Sequence, residues 1–138
     1  MKKIIKDQVS LVAKELCALM PEIKIFTFSG PLGAGKTTLV QNILREIGIT
    51  EPITSPTYTY VNVYRLKGIT FYHFDLYRLN SLDDFIQAGF DEYLYQPDSY
   101  CFIEWPEIIE NLIEKDSCKV VIDYDTEDSR FVIVKKYE

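Results

Sequence analysis

Apolar residues recur every three or four positions at Val9, Val12, Ala13, Leu16 and Met20, which predicts an amphipathic helix over residues 9–20, stopped by Pro21. A short run rich in β-branched and aromatic residues, 24–28, then predicts a strand. Helical spacing returns at Leu39, Val40, Ile43, Leu44 and Ile47, and Gly48 is a natural stop. Residues 49–56 hold two prolines among polar residues and are expected to form a surface loop. Strand-like runs at 58–64 and 69–74 flank Arg65-Leu66-Lys67-Gly68, a connection of hairpin length containing a glycine. Ser81 can cap a helix whose first turn carries Asp83 and Asp84. Residues 100–104 form an apolar strand ending in an acid, and 107–113 a short helix. Strands at 119–124 and 130–134 surround a polar turn, 125–129. Without repeat, low-complexity tract or linker, the chain is expected to make one domain, residues 1–138. The predicted fold class is α/β: a three-layer sandwich with a mixed central sheet between helices.

Composition narrows the function. Of 138 residues 47% are hydrophobic and 14% aromatic, which excludes a disordered chain. A net charge of -6, with no dense cluster of Lys and Arg, argues against a general nucleic-acid binder. The N-terminus turns polar too soon for a signal peptide, and no apolar run approaches the ~20 residues that span a bilayer. A cytoplasmic protein without a membrane partner is expected. Cys17, Cys101 and Cys118 fit no metal-binding spacing and are expected to be reduced core residues.

Between the first strand and the second helix lies Gly30-Pro31-Leu32-Gly33-Ala34-Gly35-Lys36-Thr37. Its pattern, Gly-x-x-x-x-Gly-Lys-Ser/Thr, arises by chance roughly once in two hundred chains of this length. Placed after a strand and before a helix, it points to a phosphate-holding P-loop. Gly30, Gly33 and Gly35 can take positive φ and let the backbone close round an anion, with the positive helix end aimed at it. Lys36 would reach the β- and γ-phosphates, Thr37 would ligate Mg²⁺, and Thr38 can contact the α-phosphate. The Lys36 side chain is expected to face solvent when no ligand is bound. A second carboxylate is needed for the metal, and two strand-end acids, Asp75 and Glu104, qualify equally by position. The chain lacks the guanine-reading Asn-Lys-x-Asp, so ATP is favoured over GTP. His73, the single histidine, lies among alternating aromatics and is expected to be a packed residue rather than an acid–base group.

Four motifs together resemble the TsaE (YjeE) family: Gly33-Ala34-Gly35-Lys36-Thr37-Thr38, Ser55-Pro56-Thr57-Tyr58, His73-Phe74-Asp75-Leu76-Tyr77-Arg78-Leu79 and Glu104-Trp105-Pro106-Glu107. Their order and spacing match over nearly the whole chain. The resemblance implies a bacterial P-loop ATPase that assists a TsaD–TsaB complex in making threonylcarbamoyladenosine on tRNA, meeting tRNA only indirectly and not acting as the transferase. It also implies Thr37 and Glu104 as Mg²⁺ ligands, Asp75 as a residue of hydrolysis that either positions water or holds the metal through water, and Thr57 as a γ-phosphate sensor in a switch-like loop. Trp105 and Arg130 match residues that lie beside the nucleotide. One departure is Pro31, where the family commonly has Asp. A small-molecule kinase shares the loop but would need an acceptor pocket and a basic lid, for which the chain has few residues. A nucleotide-dependent docking module without hydrolysis is the third reading.

Overall fold

The computed structural model describes residues 2–5, 8–56, 58–114 and 116–137; Thr57 therefore lies outside the described residues. Ile25, Phe26, Thr27 and Phe28 are all buried, as befits a strand covered on both faces. This strand, β2 (Ile25–Ser29), pairs in parallel with β5 (Ser99–Glu104) on one side and β6 (Ser117–Thr126) on the other. Beyond β5, β4 (Ile69–Asp75) is parallel and β3 (Val61–Leu66) antiparallel. Beyond β6, β7 (Ser129–Lys136) is antiparallel and carries β1 (Lys2–Ile5) at the far edge. The seven-stranded sheet runs β1-β7-β6-β2-β5-β4-β3. Helices α1 (Val9–Ala18) and α2 (Lys36–Ile47) cover one face. The other is covered by α3 (Leu82–Gln87) and the 3₁₀ segments Phe90–Tyr93 and Pro106–Leu112. The mixed three-layer P-loop sandwich is thus the observed fold.

Strand alternation assigns each side chain to a face. Phe26, Phe28, Phe71 and Phe102 pack with Leu16, Val40 and Leu44 of the two long helices. Ile25, Phe74, Cys101 and Ile103 pack with Phe85 and Ile109 on the opposite face. Phe26 and Phe102 stack with centroids 5.5 Å apart, tying the two central strands. The same period of two turns His73 and Asp75 to the side of Phe71, and Glu104 to the side of Phe102. All three polar groups therefore lie on the sheet face that α1 and α2 cover.

Several boundaries differ from expectation for local reasons. Helix α1 ends at Ala18, ahead of Pro21. Strand β3 starts at Val61 because Tyr60, at φ 64°, breaks the extended run. Lys67 and Gly68 both have positive φ and make a two-residue hairpin turn. The helix expected at 107–113 is a 3₁₀ segment entered from Pro106. Strands β6 and β7 run further than expected, leaving Glu127-Asp128 as the turn, with a bulge between Tyr124 and Thr126. Strand β1 was not anticipated. Ser81 caps α3 as expected, accepting from the Asp84 amide at 3.1 Å. The cysteines are free, and burial pushes the Cys101 thiol up to about 12.

Gly30, at φ 149°, passes the β6 backbone so closely that a Cβ there would sit 2.1 Å from the Ile122 carbonyl oxygen. Gly68, at φ 80°, has open space around the same position. Gly68→Ala should cost about 1 kcal/mol from its backbone conformation alone. Gly30→Ala should cost more than about 3 kcal/mol, because the sheet must also part. Urea midpoints of the two variants check this; equal losses would refute the steric account.

Candidate functional site

The glycine loop leaves the carboxyl end of β2 and turns into α2 through Gly35, the residue capping that helix, at φ 110°. Gly33 also has positive φ, at 79°. Such a path turns successive N–H groups toward one concavity at the helix N-terminus. Ala34 N donates to the Pro31 carbonyl at 3.1 Å, and Leu39 N to the Gly35 carbonyl at 3.0 Å. Pro31 thus serves the loop through its carbonyl, which accepts from both Ala34 and Lys36. The far strands brace the loop: Tyr124 donates its hydroxyl to the Leu32 carbonyl, and Arg130 Nε donates to the Ala34 carbonyl at 3.2 Å. The Arg130 guanidinium also lies 4.8 Å from the Tyr124 ring centroid. Neither brace is local in sequence, so only chain topology brings them here.

Lys36 does not face solvent, contrary to expectation; it is only 4% exposed. Its ammonium donates to the carbonyls of Gly30 at 2.6 Å and Pro31 at 2.9 Å, and lies 4.0 Å from the Trp105 ring centroid. The loop curls back over its own lysine, and backbone oxygens plus a π face replace water. Burial pushes this ammonium below the usual lysine range, while Glu104, Glu107 and Asp75 pull it back upward. Trp105 takes the left-handed conformation, φ 58°, which turns its ring from the end of β5 over the lysine and against Tyr77, 4.8 Å away.

Thr37 donates its hydroxyl to Glu104, 2.8 Å from Oε1 and 3.0 Å from Oε2. Glu104 is buried, and its Oε2 also lies 2.6 Å from Nε2 of His73. Asp75, half-buried at the end of β4, accepts from the Ser55 hydroxyl at 3.0 Å and from the Tyr77 amide at 3.0 Å. Lys36, Thr37, Thr38, Asp75, Glu104 and Trp105 line one cavity of about 300 Å³. The structure therefore gathers Gly33, Gly35, Lys36, Thr37, Thr38, Asp75, Glu104 and Trp105 around one concavity, but not Ala34 or Arg130, while Thr57 is outside the described residues. Glu104 alone of the two acids touches Thr37, whereas Asp75 reaches the 49–56 loop.

A second cavity, of about 250 Å³, opens on the other side of Gly33, Ala34 and Thr38. Arg130 borders it, and Ile4, Val9, Leu39, Ile122 and Val132 supply its apolar walls. Sequence reasoning missed these wall residues, which come from five different elements. His73 was expected to be merely packed; it is buried but holds a carboxylate of the site. Strand alternation relative to Asp75 was the available signal, since it puts the two on one face.

A glycine loop joining a central parallel strand to a helix, under a mixed sheet layered on both sides, defines a P-loop protein. Residues 5–132 match the family described as threonylcarbamoyl adenosine biosynthesis protein TsaE. The chain belongs to this family. It is 44% identical over 97 residues to the tRNA threonylcarbamoyladenosine biosynthesis protein TsaE of Borreliella burgdorferi, covering 70% of each chain. The protein of that name from Haemophilus influenzae is 41% identical over 113 residues, covering 81% of this chain and 71% of its own. The crystal structure of YdiB from Bacillus subtilis superposes with a TM-score of 0.73 at 27% identity, covering 95% of this chain and 80% of that one.

Trp105 is the only tryptophan, so its emission reports on the lysine beneath it. Tripolyphosphate that draws the ammonium from the ring should change that emission saturably. The Lys36→Ala protein should show no such change; an equal response in both would break the link between ring and lysine.

Proposed function

We propose that the chain binds ATP with Mg²⁺ on residues 30–37, hydrolyses it slowly, and so serves tRNA threonylcarbamoyladenosine formation as an accessory to a TsaD–TsaB-like complex. The observation that carries the nucleotide reading is the Thr37 hydroxyl held 2.8 Å from Glu104 at the start of α2, directly after Lys36. The donor set suits the cation. A hydroxyl and a carboxylate are hard oxygen ligands, and Mg²⁺ characteristically takes one or two of these and completes its shell with phosphate oxygens and water. Thr37 and Glu104 would hold it, and it would neutralise charge on the phosphate oxygens.

The remaining roles follow from what each residue can reach. Lys36 exchanges its contacts with the Gly30 and Pro31 carbonyls for the β- and γ-phosphates. The loop amides and Thr38 hold the phosphate chain. The apolar cavity beyond Ala34 accepts the adenine ring, with Arg130 at its border and Trp105 on the phosphate side. Asp75 orients water for hydrolysis, and its bond to Ser55 links that role to the 49–56 loop, next to Thr57. Support for a protein partner comes from the exposed side chains near the mouth. Leu32 and Tyr77 line a crevice there with Pro56 and Arg78, and Tyr58 is 82% exposed beside Arg78. The contact with tRNA remains indirect in this reading.

The two acids should separate in calorimetry and single-turnover assays. Glu104→Gln should weaken Mg²⁺-dependent ATP binding about tenfold or more, because it alters ground-state metal contact. Asp75→Ala should leave ATP bound and slow hydrolysis by about 10² or more, since general-base assistance appears in the transition state. Loss of Mg²⁺ dependence in the Asp75 variant and its retention in the Glu104 variant would reverse these assignments.

For the partner, titration of the protein into a TsaD–TsaB complex should give nucleotide-dependent binding at micromolar concentration. The absence of heat and of co-elution, with and without ATP, would defeat the accessory role while leaving the nucleotide site intact.

A further inference from the structure

We propose that His73 is a positioning residue for Glu104: its Nε2–H holds one carboxylate oxygen and thereby keeps the other turned toward Thr37 and the cation site. This rests on the Mg²⁺–nucleotide reading above.

His73 is fully buried on the α2-facing side of β4, between Phe71 and Asp75 in the strand's alternation. The parallel register sets His73 beside Phe102 and Asp75 beside Glu104. From there the imidazole Nε2 lies 2.6 Å from Glu104 Oε2. A carboxylate oxygen accepts, so Nε2 carries the proton in this contact. The other ring nitrogen, Nδ1, is buried and has no hydrogen-bond partner among the described residues. That pattern is informative. A phenylalanine in the same slot would fill the space without leaving an unsatisfied nitrogen in the core, so packing alone favours the hydrocarbon ring. Among the described residues, the polar contact that distinguishes histidine at this place is the one to Glu104.

The consequence for the carboxylate is geometric. Thr37 alone approaches both oxygens, at 2.8 and 3.0 Å, and would let the group rotate about its terminal bond. A second donor, coming from β4 rather than α2, fixes Oε2 from another direction. Oε1 is then the oxygen left for the cation or a water bound to it. Neighbours of this kind commonly change metal affinity by about 10- to 100-fold when removed.

The test is calorimetric titration of ATP into the full chain across a range of Mg²⁺ concentrations, with folding checked by thermal denaturation. His73→Phe keeps a ring but removes the donor. It should raise the Mg²⁺ concentration for half-maximal ATP binding about tenfold or more, with ATP affinity in the absence of Mg²⁺ unchanged. His73→Gln can place an amide N–H near the same point and should recover most of the loss. Equal Mg²⁺ requirements in wild type and His73→Phe overturn the proposal while leaving the nucleotide reading standing. If His73→Phe does not fold, His73→Asn, whose amide is too short to reach, replaces it; indistinguishable Gln and Asn variants then overturn the proposal. A wild-type protein without Mg²⁺-dependent ATP binding overturns both readings together.

Discussion

Parallel pairing sets Phe28 of β2 beside Glu104 of β5, so the chain enters its glycine loop within two residues of a buried carboxylate. Everything at the site depends on that register. A slip of one residue would turn Glu104 to the α3 face and Ile103 toward Thr37, exchanging a carboxylate for a hydrocarbon. The slip is opposed on both faces at once, by Phe26 stacked on Phe102 and by Ile25, Cys101 and Ile103 in the opposite core. Strand β4, parallel to β5, then ends at the same sheet edge and brings Asp75 level with Glu104. The core is thus the instrument that places the polar groups.

Those groups make an economical network. Lys36, His73 and Glu104 are buried together, and each finds its partners among the others' supports: backbone carbonyls for the ammonium, a hydroxyl and an imidazole for the carboxylate. Buried polar groups are tolerable only on such terms. Among the described residues, the unpartnered Nδ1 of His73 and the left-handed Trp105 are two places where this region departs from an arrangement optimised for stability. Both sit within the loop's immediate surroundings, where strain commonly accompanies function.

What could be read from residues alone was whatever rests on neighbours in sequence. The strand–loop–helix unit, the Ser81 cap, the two-strand hairpin and the Gly48 stop all depend on interactions a few residues long, and each was legible. The placement of Lys36 and Thr37 at the start of α2 was legible for the same reason. Asp75 and Glu104 could not be ranked by position, because their difference lies in which one a neighbouring element reaches. The parked state of Lys36 depends on Trp105, sixty-nine positions away, and on the loop folding over it. His73 looked like a core aromatic because its period of two is that of a core strand, and the carboxylate it meets belongs to a different strand. Strand β1 escaped notice because four residues at a sheet edge carry little pattern of their own.

The covered lysine has a kinetic consequence. A protein of net charge -6 repels polyanions at long range, and its loop cation, capped by tryptophan and backbone oxygens, projects little field into solvent to offset this. Capture of a phosphorylated ligand therefore gains little from electrostatic steering, which elsewhere accelerates encounter and fades with added salt. To meet an anion directly, the ammonium must leave the ring and the loop carbonyls. An anion arriving before that finds only the helix end and the loop amides to hold it. Association should then quicken as added salt screens the long-range repulsion, the reverse of a steered encounter.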